Sequence, residues 1–312
     1  MSITLTQLSA FLAVVRTGSV TGAAEELVVT QPTVSSALAA LGRELGCELF
    51  ERSGRGVKLS PAGEAFAPYA IDVLGLLERG REAALEAGAL ALRRVRIAAV
   101  TTAAESFVPP LVRAWIQTQP DTDLVLDVGN RDEVFERVLT HAADVAISGT
   151  PPGDDRLVAR PLMVNAIACI AAPEDPLVAG QEQPASALGE RTWLLREPGS
   201  GTRSLAVDYM LVHGLAPRTL TLGSNGAIRQ AARAGLGIAL ISRIAVADEL
   251  DAGSLAEIRF SGSPSERWWY VVQSAVGPRR PLVSAFIEFV SAQVSGVTAS
   301  PTRTVPGAST RP

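Results

Sequence analysis

The chain has 312 residues, 47% of them hydrophobic, with a formal net charge of −4. That length accommodates two or three domains with separate cores, and the acidic balance gives no whole-chain argument for nucleic acid, so any basic surface has to be local. Lys58 is the only lysine, and Cys47 and Cys169 show no CxxC or Cys/His spacing that would support a zinc site or a disulfide framework. No apolar run reaches the ~20 residues of a membrane span, and no basic stretch and apolar core mark a signal peptide. The expectation is a cytoplasmic protein with no membrane contact.

The first sixty residues carry short helical patterns. Leu5, Leu8, Phe11, Leu12 and Val15 share one helical face. Gly18 ends that helix and Ser19 can cap the next, whose buried side is Ala23, Ala24 and Leu27. Val28 and Val29 make a short turn into Thr30, an N-cap residue, and Pro32 falls in the following first turn, where it is tolerated. Val34, Leu38, Leu41 and Leu45 form the apolar back of this third helix. Its front collects Thr33, Ser36, Ala39 and Ala40, with almost no charge. Helix, tight turn and helix with small residues at the crossing is the shape of a helix-turn-helix.

In "LFERSGRGVKLSPAGE" two short extended runs flank the glycine turn Ser53-Gly54-Arg55-Gly56. Arg52, Arg55 and Lys58 cluster there. A charged, solvated turn is one reading of it alone; beside a helix pair it reads as a wing whose cations reach phosphates.

Residues 63–91 form one long helical pattern. Phe66, Ala70, Val73, Leu77, Gly80, Ala84 and Ala87 step alternately by four and three, a heptad seam on a helix of about 28 residues and roughly 42 Å. Pairing with the same helix of a second subunit would bury that seam; packing on its own domain is the alternative. Gly75, Gly80 and Gly88 weaken the helix, so a shorter or bent pairing is expected.

From residue 92 to 294, short Val/Ile/Leu runs alternate with amphipathic stretches, the signal of a parallel-sheet α/β domain. "RVRIAAVTT" reads as a strand ending at Thr101 and Thr102, followed by a helix through Phe107, Leu111 and Trp115. "DLVLDVGNR", "ADVAISG", "NAIACIAA" and "RWWYVVQ" read as further strands, with a last helix from Leu282 to Val294. Cys169 lies inside one of these apolar runs and reads as a core residue. In "LLREPGSGTRSLAVDYM" a strand runs into Gly199-Ser200-Gly201-Thr202 and a helix begins at once. Exposed N–H groups, hydroxyls and a helix N-terminus suit a carboxylate or phosphate, with Arg203 as a possible charged contact; a glycine turn without ligand is the other reading. No GxxxxGK[ST] is present, and "GLGIAL" lacks the third glycine of a dinucleotide fingerprint. Residues 295–312, rich in Ser, Thr, Pro and Gly, read as a disordered tail.

Enzyme readings find little support. His141 and His213 are the only histidines, and there is no GxSxG elbow, HExxH or cysteine-nucleophile context. No carboxylate pair stands out for acid/base work. The expectation is a non-enzyme with no catalytic residues, no metal and no cofactor.

The segment "LTQLSAFLAVVRTGSVTGAAEELVVTQPTVSSALAALGRELGCELFERSGRGVKLSPAGE" resembles the N-terminal domain of LysR-type transcriptional regulators nearly end to end. The remainder is similar to that family's effector domain up to about residue 294, through "TTAAESFVPPLV", "DVAISG" and "SNGAIRQAARAGLGIALIS". "VGNRDEVFERV" with "REPGSGTR" is similar to the branch of carbon-fixation and sulfite-reduction operon regulators.

The resemblance implies a winged helix-turn-helix over residues 1–62, a dimerising linker helix over 63–91, and a two-lobed, periplasmic-binding-protein-like α/β domain over 92–294. Lobe I would be 92–161 with 269–294, and lobe II 162–268. It implies promoter DNA, a small anionic effector of unknown identity, RNA polymerase, and a homodimer or homotetramer as partners. Gln31, Thr33 and Ser36 would face base edges, with Thr21, Thr30, Pro32 and Ser35 beside them and Arg43, Arg52, Arg55 and Lys58 on phosphates. Thr101, Thr102, Asn130 and Arg131 of lobe I, and Ser200, Gly201, Thr202, Arg203 and Asn225 of lobe II, would line the effector site. The family often places Arg, Lys or His where this chain has Ser36, which implies weaker nonspecific DNA binding here. A solute-binding protein with the same sensor is the rival reading, and the complete DNA reader argues against it.

Overall fold

The computed structural model describes residues 2–54, 56–88, 93–178, 182–262 and 267–297. Arg55, the last residues of the expected linker and the tail beyond 297 lie outside them. The chain divides into two compact units, residues 1–91 with 140–142, and the remainder.

The first unit opens with three helices, α1 (Leu5–Thr17), α2 (Val20–Leu27) and α3 (Gln31–Leu45). Thr4 and Gln7 form a reciprocal capping box at the start of α1. Gly18, with φ of 66°, ends α1 in the left-handed region, and the Ser19 hydroxyl accepts from Gly22 N at 2.9 Å to start α2. Leu8, Phe11, Leu12, Leu41 and Leu49 make one core. Ala10, Ala13, Val14, Ala23, Ala24 and Val34 make a second, where small side chains allow close helix crossing. Strands β1 (Phe50–Ser53) and β2 (Gly56–Leu59) pair antiparallel as the wing.

Helix α4 (Pro61–Ala87) begins two residues before the expected boundary, because the Ser60 hydroxyl accepts from Gly63 N at 3.0 Å and Pro61 suits the first turn. A Cβ on Gly63 would stand 2.1 Å from the Leu49 carbonyl oxygen, so glycine alone permits this approach. Pro68 inside α4 removes a helical N–H donor, a break the glycine pattern did not announce. The seam divides around it. Phe66 and Ala70 pack into the unit's own core, with Phe66 5.4 Å from the Phe11 ring. Val73 and Leu77 are 47% and 52% exposed, and Tyr69 beside them is 69% exposed.

The second unit contains β3 (Arg93–Val100), α5 (Thr101–Glu105), α6 (Val108–Thr118), β4 (Thr122–Gly129), α7 (Arg131–Leu139), β5 (Val145–Ser148) and β6 (Leu157–Val164). The chain then crosses into β7 (Ile167–Ala171), α8 (Ala185–Gly189), β8 (Trp193–Leu195), α9 (Gly201–Val212), β9 (Thr219–Thr221), α10 (Asn225–Arg233), β10 (Ala239–Ser242), α11 (Ala247–Asp251) and β11 (Ala256–Ile258). It returns through β12 (Trp268–Ser274) and ends in α12 (Pro281–Val297), three residues past Val294, the end expected for the last helix.

Two lobes result. The first holds a sheet of order β4-β3-β5-β12-β6, and the second has a three-stranded β10-β7-β11 and a two-stranded β8-β9 sheet. The expectation of a parallel-sheet domain is corrected: β3 runs parallel to β4 and β5, but β12 is antiparallel to β5 and β6, and β7 is antiparallel to β10 and β11. Apolar runs mark buried strands without giving their direction; the return from lobe II forces β12 to enter reversed. The lobe I limit at 161 also moves, because β6 stays paired with β12 through Val164. Thr101 and Thr102 are not a strand end but the first turn of α5, and the single expected helix after them breaks at Ser106 and Phe107.

Each lobe has its own core, Ile97, Trp115, Ile147 and Phe286 in the first and Leu188, Trp193, Ile238 and Leu240 in the second. A buried ion pair, Arg280 Nη1 to Asp144 Oδ1 at 3.0 Å, ties the approach to α12 onto the first lobe. Arg280 Nη2 also donates to the Arg94 carbonyl at 2.8 Å.

Candidate DNA-reading face and effector cleft

The candidate DNA-reading face follows from how α3 is held. Val34 and Leu41, 1% and 0% exposed, seat its back in the core. Gln31, Pro32, Thr33, Ser35 and Ser36 are all exposed on the other side, as is Thr21 on α2. Thr30 takes the N-cap position, but its hydroxyl bonds to that of Thr33 at 2.8 Å instead of capping the backbone. Between α2 and α3, Val28 adopts a left-handed φ of 55° with 90% of its surface exposed. This is a costly conformation for a β-branched residue.

The wing is pinned by Val57 N donating to the Gly18 carbonyl at 3.1 Å. Arg52 and Lys58 are exposed on it and Arg43 lies in the last turn of α3, while Arg55 is outside the described residues. Strand register sets Lys58 opposite Glu51, with Nζ to Oε2 at 3.4 Å. Arg16 pairs with Glu26 in the same unit. Through residue 62 the cations Arg16, Arg43, Arg52, Arg55 and Lys58 are matched by Glu25, Glu26, Glu44, Glu48 and Glu51. The side chains of this segment therefore carry no net formal charge.

The second unit holds a cleft between its two lobes. Thr101, Thr102, Asn130, Arg131, Ser200, Gly201 and Thr202 all line it, as the resemblance implies. Asn130 also caps α7, its N donating to Glu133 Oε2 at 2.9 Å while its Oδ1 accepts from Glu133 N at 3.1 Å. Arg131 donates to the Thr150 carbonyl at 3.0 and 3.1 Å, which aims its guanidinium. Ser200 is 4% exposed at the N-cap of α9 and its side chain makes no capping bond, leaving the helix N-terminus open to the cleft.

Two expected residues do not line the cleft. Arg203 turns back, donating to the Arg196 carbonyl at 2.8 Å and to Thr221 Oγ1 at 3.3 Å; it braces the segment leaving β8. Asn225 is wholly buried behind the lining. Spacing cannot distinguish a residue that faces a site from one that props it.

Several lining residues escaped the sequence reading. Arg196, at the end of β8, is 5% exposed and forms two bonds to Glu197, Nε to Oε2 at 2.7 Å and Nη2 to Oε1 at 2.8 Å. Burial raises the Glu197 pKa, but the bonds from Arg196 and its own backbone and the charge of Arg203 outweigh it and hold the carboxyl below its ordinary value. The strand-end position of Arg196 was a usable signal. Arg267 lies on the returning crossover, and only the fold brings it in. Burial, and then repulsion from Arg131 against attraction to Asp208, lowers its pKa; it makes no ion pair among the described residues. Ser148, wholly buried at the end of β5, has a hydroxyl with no hydrogen-bond partner. Asn165, Ser242 and Trp269 complete the polar and aromatic wall.

Among the described residues no group of three or more His, Cys, Asp or Glu could hold a metal ion, and no helix is long and apolar enough to cross a membrane. Both cysteines are free; Cys169 is buried, and desolvation followed by the charge of Asp175 pushes its thiol pKa up.

A winged helix-turn-helix and a two-lobed cleft in one chain define a ligand-responsive DNA-binding regulator. Residues 5–64 match the family "Bacterial regulatory helix-turn-helix protein, lysR family", and residues 89–295 match "LysR substrate binding domain". The chain is 32% identical over 295 residues to the HTH-type transcriptional activator CmpR of a Synechocystis strain, covering 94% of this chain and 97% of that protein. It is 34% identical over 290 residues to the RuBisCO operon transcriptional regulator of Acidithiobacillus ferrooxidans, with 93% and 94% covered. The regulatory domain of Synechocystis CcmR in complex with 2-PG superposes with a TM-score of 0.61 at 31% identity, over 64% of this chain and 97% of that one. The chain belongs to the LysR family. It is a DNA-binding transcriptional regulator with an effector-binding domain.

Proposed function

We propose that this regulator acts in the cytoplasm, binds promoter DNA through Gln31, Thr33 and Ser36 of α3 with Arg43 and the wing cations on phosphates, and takes a small anionic metabolite into the cleft. The observation that carries the effector reading is the Ser148 hydroxyl, buried and unpartnered at a cleft that also presents Arg267, Arg131 and the open N-terminus of α9. Buried polar groups are nearly always satisfied in folded proteins, and two like charges beside one cleft are reconciled by an anion between them. The CcmR domain carries 2-PG, 2-phosphoglycolate, which makes a small phosphorylated carboxylic acid the first ligand to test. The names of the relatives support control of a carbon-fixation operon.

Exposed Tyr69, Val73 and Leu77 on α4 support a homodimer through this helix, the unit of a homotetramer. In this reading no resident cofactor is required and the chain has no catalytic role. Effector favours the closed lobes, re-angles the subunits on DNA and changes their contact with RNA polymerase.

Footprinting on the DNA upstream of its own gene should show protection over a pseudo-palindrome; no protection at low salt, with or without 2-phosphoglycolate, overturns the DNA reading. Thr202→Ala should weaken the effector response and leave operator binding intact. Loss of operator binding in a well-folded Thr202→Ala protein would contradict the cleft assignment.

A further inference from the structure

Asn225 is the first residue of α10 and wholly buried, and its amide bridges two groups. Arg196 Nη1 donates to its Oδ1 at 2.5 Å, and its Nδ2 donates to Thr102 Oγ1 at 2.7 Å. The first partner belongs to lobe II and the second to lobe I, so one side chain joins the lobes behind the cleft. A guanidinium has only donors, so the amide oxygen must face Arg196 and the amide nitrogen must face Thr102. Thr102 Oγ1 is thereby an acceptor on its inner side. Its own hydrogen has no acceptor among the described residues, and Thr102 lines the cleft.

We propose that Asn225 is a positioning residue that fixes Thr102 as a hydrogen-bond donor toward the cleft and so selects ligands presenting an acceptor-only oxyanion there. This rests on the effector reading above and names what sets its polarity. The chain of donors runs one way, from Arg196 through the Asn225 amide to Thr102 and out to the ligand. A ligand group that must itself donate at this point finds only the hydroxyl's second lone pair and leaves the Thr102 hydrogen without an acceptor, so it is disfavoured. A carboxylate or a phosphoryl oxygen is accepted.

The test uses the full-length protein, with 2-phosphoglycolate and inorganic phosphate as probes and titration calorimetry as readout. Thr102→Val removes the donor at nearly constant shape. Asn225→Asp supplies two acceptor oxygens, which take the Arg196 N–H and the Thr102 O–H together and turn the hydroxyl hydrogen away from the cleft. A carboxylate is also favourable at the N-terminus of α10, so the variant should fold. Each change should weaken probe binding by about tenfold, the scale of one hydrogen bond to an anion. Thr102→Val should cost nothing further in the Asn225→Asp background, because the donor is already gone. If Thr102→Val costs the same in both backgrounds, Asn225 acts through charge or packing alone and the proposal is wrong.

A ligand-free arm separates this from failure of the effector reading. Wild-type protein that binds neither probe counts against the choice of ligand class. The bridge is then judged by hydrogen exchange, in which Asn225→Ala should speed exchange across residues 101–105. Unchanged exchange there overturns the bridge whatever the ligand is.

Discussion

The DNA-reading unit and the effector unit handle polar side chains in opposite ways. Around the helix-turn-helix and wing of the first, charged groups sit in water and pair with near neighbours; Arg16–Glu26 and Lys58–Glu51 are both well exposed. In the second, beside exposed pairs such as Arg94–Asp123 and Arg137–Asp127, a further set is buried and networked. Arg280–Asp144 is almost wholly enclosed, Arg196 holds Glu197 and Asn225, and Ser148 is buried with no partner. Exposed pairs contribute little and can be rearranged when DNA arrives, whereas buried groups hold a fixed pattern of donors around a small ligand. A regulator needs both: an adaptable surface for a long polyanion and a preorganised cleft for a small molecule.

The contrast can be broken first through the ion pairs. Arg280→Ala leaves the Asp144 carboxylate buried without its cation and should destabilise the effector unit by about 3–5 kcal/mol in chemical denaturation. Arg16→Ala should leave the midpoint within error; a comparable loss there would abolish the distinction. Next is the turn before the reading helix. Val28→Asn suits a left-handed residue and should stabilise the DNA-binding unit by roughly 1–2 kcal/mol, seen as a raised Tm; a lowered Tm would show that the valine makes contacts the exposed turn does not reveal.

A third change separates stability from function inside the cleft. Ser148→Ala removes a buried, unsatisfied hydroxyl and should raise ligand-free stability by about 1 kcal/mol while weakening anion binding. If stability falls instead, the hydroxyl is satisfied in the free protein and its link to ligand is lost. The smallest expected effect lies on the DNA side. Ser36→Arg should tighten nonspecific DNA binding and steepen the salt dependence by ~0.9 per added phosphate contact per subunit. An unchanged slope would place Ser36 away from the backbone.

How much was legible varied with the distance over which residues act. Helices α1 to α3, the Ser19 cap and the buried stripes were readable because each depends on neighbours within a few positions, whereas Thr30 takes the N-cap position without capping the backbone. Ser19, Pro32, Val34 and Leu41 all stand where periodicity and capping chemistry put them. The seam of α4 was legible as a pattern, but its division between own-core packing at Phe66 and Ala70 and an exposed stripe at Val73 and Leu77 depends on where α1 and α3 lie. In the cleft, Thr101, Thr102, Asn130 and Ser200 to Thr202 were found because strand ends and helix starts are local features. Arg267 and Ser148 were missed because what gathers them is the return of the chain from the second lobe.

The sequence by itself therefore determined the helix-turn-helix, the wing, the alternation of apolar and amphipathic segments, and the family to which the chain belongs. These follow from short-range periodicity, capping and turn chemistry. Tertiary structure alone decided that the five-stranded sheet is mixed, that Arg203 braces and Asn225 bridges without lining the cleft, and that Arg196, Arg267 and Ser148 share it. Each of those depends on strand direction and lobe closure, which bring together residues far apart in the chain and leave no periodic mark along it.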